Sequence, residues 1–188
     1  RLAIEECDRL NSMINELLEF TRGGRSQLRL RSVALGDYFE DLRPAIQAHF
    51  ESSTVRFEMD LGYVGPVLLD PDRMSRAVLN MVSNASQAMN GNGRFVIRSE
   101  RRGHRVTLEF QDTGCGIPEE IRHRIFEPFF SYGKAQGIGL GMSIAKKIVE
   151  EHGGAVDINS DEGLGTQIRF HLPLEAGSSN ENQTDEPL

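Results

Sequence analysis

The chain has 188 residues, of which 38% are apolar and 26% are charged, so it is long enough to bury one substantial hydrophobic core. Its formal net charge of −7 and its pI near 5.3 disfavour nucleic acid or an anionic membrane as the main partner. The two cysteines lie far apart in the sequence, and no segment resembles a signal peptide or a membrane span. These features indicate a globular protein of a reducing compartment.

The first 22 residues predict a helix that packs against another helix. Apolar or small side chains repeat there with a 4-3-4-3 spacing, the pattern of a coiled-coil seam, at Ala3, Cys7, Leu10, Ile14 and Leu17. Because such a seam needs a partner, we expect residues 1–22 to form one arm of a helical hairpin or dimer. The alternative is a helix packed only on its own domain. A hinge is expected at residues 23–26, which contain two glycines.

Residues 27–174 predict one compact α+β domain, because strand patterns are interspersed with amphipathic helix patterns. The predicted strands cover residues 27–33, 54–61, 67–69, 95–100, 105–111, 155–159 and 166–172. The predicted helices cover residues 37–50, 71–89 and 142–152. Residues 175–188 have almost no apolar content, so we expect this tail to be disordered.

The helix predicted after Asp70 and Pro71 carries amide side chains beside its apolar stripe. Asn80, Asn84 and Gln87 stand at i, i+4 and i+7, so they lie along one edge of that stripe. Amide groups suit both phosphate oxygens and Mg²⁺, since Mg²⁺ keeps most of its waters and takes few protein ligands. The alternative is an ordinary polar flank of a surface helix.

A glycine-containing turn follows the strand predicted at residues 105–111. Asp112 stands at the strand end, where its carboxylate could accept a hydrogen bond from an exocyclic amine such as adenine N6. Gly114 and Gly116 would let a flat ring approach the backbone. The alternative is a common Asp-Gly turn. Cys115 has no base within its local motif, so we interpret it as a small loop residue.

Three glycines alternate at the start of the helix predicted at residues 142–152, at positions 137, 139 and 141. They are not followed by the Lys-Ser/Thr of a P-loop, and no strand directly precedes them as a dinucleotide-binding fingerprint requires. Backbone amides at the helix start could still bind an anion. A further glycine-containing stretch, residues 161–166, predicts by itself only the loop of a hairpin.

The order and spacing of these motifs resemble the sensor histidine kinases. Residues 80–85 (NMVSNA) resemble the N box of that family, residues 112–116 (DTGCG) the G1 box, and residues 126–130 (FEPFF) the F box. Residues 137–141 (GIGLG) are similar to the G2 box, and residues 163–166 (GLGT) to the glycine loop before the final strand. The resemblance covers the whole predicted domain. It implies the Bergerat fold of the GHKL superfamily, a two-layer sandwich of a mixed, mostly antiparallel sheet with helices on one face.

The resemblance also implies ATP and Mg²⁺ as cofactors. Asn84 would coordinate Mg²⁺, Asn80 would support the triphosphate, and Asp112 would accept a hydrogen bond from adenine N6. Residues 137–141 would present backbone amides to the phosphates, and Thr166 would close the adenine end. The full set of further nucleotide-binding positions implied in this way is Gln87, Gly114, Gly116, Gly137, Ile138, Gly139, Leu140, Gly141 and Thr166.

Three features depart from the family pattern. Gln87 stands where the family often has a basic residue, so one phosphate contact would be weakened or replaced. Ile138 lacks the hydroxyl of the usual Gly-Thr-Gly. The expected lid, residues 131–136, is short and has Lys134 as its one cation, which makes Lys134 a candidate ligand of the γ-phosphate. The alternative for Lys134 is a solvated loop lysine.

None of the five histidines stands in the phosphoacceptor motif of the family, in which an acidic residue follows the histidine. The resemblance therefore implies that the acceptor lies upstream of residue 1, and that residues 1–21 form the second helix of a dimerisation hairpin. The implied partners are a second copy of the chain and the receiver domain of a response regulator. The expected location is the cytoplasm, with no membrane contact by this part of the protein and any membrane anchor of the whole protein lying upstream.

Three alternatives compete with a histidine kinase. ATP hydrolases of the gyrase, chaperone or mismatch-repair type place a glutamate at the position of Asn80, where it activates water, and an asparagine cannot abstract a proton. A small serine kinase of the anti-sigma-factor type would not need the helical arm at residues 1–21. An ATP-sensing pseudokinase that regulates as a scaffold is disfavoured by the presence of Asn84, Asp112 and the glycines of residues 137–141.

Overall fold

The computed structural model of the protein describes residues 27–132 and 138–174. The predictions for residues 1–22, 23–26 and 175–188 lie outside the described residues. In chain order, the elements within the described ranges are β1 (Arg31–Ala34), α1 (Leu35–Ala48), β2 (Arg56–Leu61), β3 (Pro66–Leu69), α2 (Pro71–Met89), β4 (Arg94–Arg102), β5 (Arg105–Asp112), α3 (Glu119–Arg122), α4 (Gly141–Glu151), β6 (Ala155–Asp161) and β7 (Gly165–Pro173).

Five strands form one mixed sheet in the order β2-β4-β5-β7-β6. β2 runs parallel to β4, and the other three neighbouring pairs are antiparallel. β1 and β3 form a separate antiparallel ladder of two strands. The expected α+β class with a mixed, mostly antiparallel sheet is therefore confirmed.

The sheet packs one face against the helices. In β5, Val106, Leu108 and Phe110 are buried, whereas the residues between them are polar and half-buried. β7 alternates in the same way, and its Phe170 lies 4.9 Å from Phe110 between ring centroids. Since successive side chains of a strand point to opposite faces, both strands place their apolar residues on one face. That face joins α1, α2 and α4 in a single hydrophobic cluster.

Helix α2 has the bounds that its sequence predicts. Asp70 is the N-cap, and its side chain accepts a hydrogen bond from the backbone N–H of Arg73 at 3.1 Å, while Pro71 occupies the first turn. Asn90 ends the helix in the left-handed conformation, with φ of 48°. The apolar stripe that packs on the sheet consists of Met74, Ala77, Val78, Met81, Val82, Ala85 and Met89.

His152 ties the end of α4 to the beginning of α2. Its ring is buried, and its Nε2 accepts a hydrogen bond from the backbone N–H of Asp70 at 2.9 Å. Nδ1 must therefore carry the proton, which it donates to the carbonyl of Ile148 at 2.7 Å. Next to it, Arg73 forms an ion pair with Glu151. The predicted position of His152 at the C-terminus of a helix is confirmed, and the structure adds this link between two helices.

The first strand and first helix differ from their predictions. β1 begins at residue 31, four residues later than predicted, because its register pairs Arg31 with Leu69, and the partner strand ends there as α2 begins. α1 begins at Leu35 because the loop after β2 accepts its first amides: Leu35 N–H donates to Gly65 O at 3.0 Å, and Gly36 N–H to Val64 O at 3.1 Å. The short helix α3 was not predicted. Among the described helices, none is both long and apolar enough to span a membrane.

We expect His152→Ala to lower the free energy of unfolding by about 1–3 kcal/mol, because it leaves the buried N–H of Asp70 without its acceptor. Chemical denaturation measures this change. The matched control is His104→Ala in the exposed turn between β4 and β5, for which we expect a change within about 0.5 kcal/mol. Equal effects of the two substitutions would contradict a structural role for His152.

Candidate functional site

The amide side chains predicted on α2 lie along one wall of a cavity of about 510 Å³. Asn80, Asn84 and Gln87 all line it, as their i, i+4 and i+7 spacing requires once the apolar stripe of α2 packs on the sheet. Asn80 and Asn84 are half-buried, whereas Gln87 is exposed. The helix therefore presents neutral oxygen and N–H groups to the cavity and no charge from these positions.

Asp112 lies at the end of β5 with its side chain almost fully buried, at 7% exposure. Its Oδ1 accepts a hydrogen bond from the backbone N–H of Gly114 at 2.8 Å, and the carboxylate also accepts one from the backbone N–H of Thr166. Burial raises the pKa of Asp112 to about 6, although these two hydrogen bonds oppose the rise. Among the described residues that line the cavity, Asp112 thus has the one carboxyl group, and two hydrogen bonds use only part of the capacity of its oxygens to accept.

The turn after Asp112 is clamped between α2 and the loop of the β6–β7 hairpin. The N–H of Cys115 donates to the carbonyl of Ala88 at 3.1 Å, and the carbonyl of Cys115 accepts from the N–H of Gly163 at 2.8 Å. Gly116 has φ of +69°, and a Cβ atom there would lie 2.0 Å from the carbonyl oxygen of Asp161. Only glycine fits this position. The hairpin loop predicted at residues 161–166 is therefore part of the site's framework.

The start of α4 lies next to Asn80 at the cavity. A Cβ atom on Gly141, the first residue of α4, would lie 3.4 Å from Asn80 Oδ1. Gly139 has φ of +78° and passes so close to the segment before it that a Cβ would lie 2.4 Å from the carbonyl oxygen of Phe130. Leu140, the N-cap residue, is fully buried and makes no side-chain cap to the first turn. The first turn of α4, whose backbone N–H groups have no partner within the helix, thus begins beside Asn80.

Eight of the predicted site residues meet at this cavity. They are Asn80, Asn84, Gln87, Asp112, Gly116, Gly139, Gly141 and Thr166. Gly114, Ile138 and Leu140 adjoin the site without lining the cavity. Lys134 and Gly137 lie outside the described residues, so their predicted roles stay predictions.

The cavity also has an apolar wall that sequence reasoning missed. This wall comes mainly from the segment between Asp112 and α4 and from the inner face of the sheet, with Ile117, Ile121, Ile125, Phe130, Tyr132, Met142, Phe110 and Ile168 among its members. Three of these isoleucines follow one another at intervals of four residues, which is a helix-face spacing. That spacing was the signal available in the sequence. An apolar wall opposite polar groups suits a flat organic ring.

The polar groups of the cavity could supply only some of the ligands of an Mg²⁺ ion, and phosphate oxygens and water would have to supply the others. Within residues 27–132 and 138–174, no group of three or more His, Cys, Asp or Glu side chains could hold a metal by itself. Asn80 and Asn84 both line the cavity. A hard cation can bind an amide oxygen together with phosphate oxygens and water. The residues present therefore fit Mg²⁺ that arrives with a polyphosphate.

A family model and individual relatives of the chain indicate the same family. Residues 69–176 match the model of the histidine kinase-, DNA gyrase B-, and HSP90-like ATPase family. The chain is 34% identical to the alginate biosynthesis sensor protein KinB of Pseudomonas aeruginosa, over 90% of this chain and 29% of the relative. It is 32% identical to the sensor histidine kinase ZraS of Escherichia coli K12, over 90% of this chain and 36% of the relative. The chain thus spans about a third of the length of these curated relatives.

Two solved structures share the fold. Full-length ShkA in complex with AMPPNP superposes with a TM-score of 0.80 at 26% identity, covering 93% of this chain and 38% of that chain. Histidine kinase ThkA in complex with the response regulator protein TrrA superposes with a TM-score of 0.76 at 26% identity, covering 93% of this chain and 50% of that chain.

The raised pKa of Asp112 predicts a specific pH dependence of stability. A carboxyl whose pKa is about 6 when folded, against 3.8 as its ordinary value, binds more protons in the folded state between these pH values. Its contribution is therefore fully present below pH 3.8 and is lost as the pH rises through about 6.

Relative to Asp112→Asn, which does not titrate, the wild-type protein should gain about 1 kcal/mol in free energy of unfolding between pH 7 and pH 5. Denaturant titrations of both proteins at the two pH values measure the difference. A constant difference, or one that changes in the opposite direction, would contradict the buried environment of this carboxyl.

Proposed function

The chain belongs to the family of histidine kinase-, DNA gyrase B-, and HSP90-like ATPases, and from this premise we propose that it is the ATP-binding catalytic part of a two-component sensor histidine kinase. In this proposal it transfers the γ-phosphoryl group of ATP to a histidine upstream of residue 1. The observation that carries the proposal is the cavity itself, in which polar groups from α2, the turn after β5, the start of α4 and β7 converge opposite an apolar wall.

The two ends of the cavity differ in chemistry, which favours one orientation of a nucleotide. The end at Asp112 and Thr166 offers a buried carboxylate and a hydroxyl beside apolar side chains, and this suits a base with an exocyclic amine. The end at Asn80, Asn84 and Gly141 offers amide groups and the positive end of a helix, and this suits phosphates. In this orientation the γ-phosphate of ATP would lie at the end of the cavity formed by Asn80, Asn84 and Gly141.

Mg²⁺ bound with ATP would neutralise charge on the β- and γ-phosphates, and Asn84 is the residue that we propose as its protein ligand. Asn80 would position the triphosphate from the preceding turn of α2. Gln87 carries no charge, so any cationic contact to the phosphates must come from elsewhere, and Lys134 is our proposal for that contact. Backbone amides of residues 137–141 would complete the phosphate contacts. Positioning and charge neutralisation are sufficient for in-line phosphoryl transfer.

The acid–base content of the cavity favours transfer to a histidine over hydrolysis. Among the described residues that line the cavity, Asp112 has the one carboxylate, and it lies at the end proposed for the base of the nucleotide. A hydrolase needs a base next to the γ-phosphate to activate water, and Asn80 cannot act as one. A neutral imidazole is itself a nucleophile and needs no such base. A phosphoacceptor histidine is therefore the substrate that this site suits.

The partners proposed for the whole protein follow the same reasoning. We propose homodimerisation through residues 1–21 with an upstream helix, and onward transfer of the phosphoryl group to an aspartate of a response regulator. The similarity to ThkA, whose structure is a complex with the response regulator protein TrrA, supports the second partner. A cytoplasmic location, where ATP is available, is proposed for these residues.

We expect Asp112→Asn and Asn84→Ala each to weaken Mg·ATP binding by about 10- to 100-fold. The first removes the carboxylate proposed to accept from the base, and the second removes the amide proposed to bind Mg²⁺. Isothermal titration calorimetry measures the dissociation constants. The matched controls are Asp41→Asn and Asn159→Ala, which are exposed and lie outside the cavity, and they should bind as the wild type does. Unchanged affinity in both site variants would show that the site has been assigned wrongly.

A transfer experiment separates the three candidate activities. The full-length protein, incubated with Mg²⁺ and ATP labelled at the γ-phosphate, should acquire a label that is labile to acid and stable to base, as phosphohistidine is. Release of the label as inorganic phosphate without labelled protein would favour an ATPase. Tight ATP binding with neither product would favour an ATP-sensing scaffold.

A further inference from the structure

Ser160, at the end of β6, does not line the cavity but contacts Ile117 and Thr166, which do. Its side chain is almost completely buried, at 3% exposure. The Ser160 hydroxyl contacts three groups: it donates to the carbonyl of Gly165 at 2.9 Å, accepts from the N–H of Ile117 at 2.9 Å, and lies 3.0 Å from the hydroxyl of Thr166. Two of these partners come from the start of β7, and Ile117 comes from the segment after β5.

Counting protons determines the direction of the hydrogen bond between the two hydroxyls. A serine hydroxyl has one proton to donate and two lone pairs that can accept. The carbonyl of Gly165 can only accept, so it takes the proton of Ser160. The N–H of Ile117 can only donate, so it uses one lone pair. The contact with Thr166 must therefore use the second lone pair, and Thr166 must be the donor.

This direction decides what Thr166 presents to the cavity. Its one hydroxyl proton points to Ser160, away from any ligand, and its oxygen lone pairs remain for a ligand or for water. Thr166 lines the cavity and is paired across the β5–β7 ladder with Asp112, whose carboxylate also only accepts when ionised. The proposed base end of the cavity consequently offers two hydrogen-bond acceptors side by side and no side-chain donor from this pair.

We propose that Ser160 is a positioning residue that determines base specificity, because it orients the Thr166 hydroxyl so that the site discriminates between an amino group and a carbonyl group on the purine. The inference rests on the proposed function, since it assumes that the base of a nucleoside triphosphate binds at Asp112 and Thr166. Adenine has an amino group at C6, which donates to acceptors directly or through water. Hypoxanthine has a carbonyl oxygen there, which two acceptors repel.

Removal of the Ser160 hydroxyl would release the proton of Thr166. In Ser160→Ala the Thr166 O–H can rotate and donate into the cavity, where a carbonyl oxygen at C6 can accept it. The substitution also leaves the N–H of Ile117 and the carbonyl of Gly165 without this partner, which affects the fold of the site as a whole. A merely structural role of Ser160 would therefore weaken the binding of every purine nucleotide by the same factor, whereas a role in specificity changes their ratio.

The test compares dissociation constants of Mg·ATP and Mg·ITP, which differ at C6, for the wild type, Ser160→Ala, Thr166→Val and the double variant. We expect the wild type to prefer ATP, and Ser160→Ala to reduce the ratio of the two constants by roughly 3- to 10-fold, as for the gain or loss of one hydrogen bond. In the Thr166→Val background, which has no hydroxyl to orient, Ser160→Ala should leave the ratio unchanged.

Ser160→Thr, which retains the hydroxyl, should keep the wild-type ratio. Ser160→Cys retains a side chain of similar size, but its thiol is a weak hydrogen-bond donor and acceptor, so this variant should reduce the ratio. It replaces Ser160→Ala in the test if Ser160→Ala does not fold. Two results would overturn the inference about Ser160 but not the proposed function. One is an unchanged ratio of the ATP and ITP dissociation constants in folded Ser160→Ala or Ser160→Cys. The other is a change of that ratio by Ser160→Ala that is as large in the Thr166→Val background as in the wild type. Failure of the wild type to bind ATP would overturn the proposed function, and the two failures are thus distinguishable.

Discussion

The buried carboxylate of Asp112 is the constraint on which the rest of the site depends. A carboxylate that leaves water loses its hydration, and the protein must replace those hydrogen bonds or shift the pKa of the group. Here the replacement is partial: the backbone N–H groups of Gly114 and Thr166 both donate to it, and the pKa still rises to about 6. The turn after β5 and the pairing of β5 with β7 are both needed to supply these donors. The remaining acceptor capacity is available to a ligand.

The opposite end of the cavity depends on how two helices are held together. Asn80 on α2 and Gly141 on α4 face each other only if the helices keep their relative position, and the buried link between His152 and Asp70 fixes the far end of that pair. The ion pair between Arg73 and Glu151 lies beside the same link. Residues with no role in binding therefore determine the distance between the amide-rich wall and the first turn of α4.

Local signals predicted some parts of the molecule and could not predict others. The bounds of α2 follow from its N-cap, its first-turn proline and its αL end at Asn90, all of which are encoded within the helix itself. The polar edge of α2 was likewise predicted from residue spacing, and the carboxylate of Asp112 from its place between a strand pattern and a glycine-containing turn. The ladder of β1 with β3 and the contacts of Ser160 depend on groups far apart in sequence, so no local pattern encodes them. Ser160 directly precedes the glycine-containing stretch at residues 161–166, but no local pattern there indicates that its hydroxyl contacts Ile117.

An NMR titration of the isotope-labelled protein with Mg·ATP tests most directly whether the nucleotide binds in this cavity. The largest shift changes are expected at the backbone amides of Gly114 and Thr166 and at the side-chain amide of Asn84. Amides near Arg98 and Arg169, on the polar face of the sheet away from the helices, should change little. Changes centred on that polar face, with Gly114 and Asn84 unaffected, would contradict the assignment of the nucleotide to this cavity.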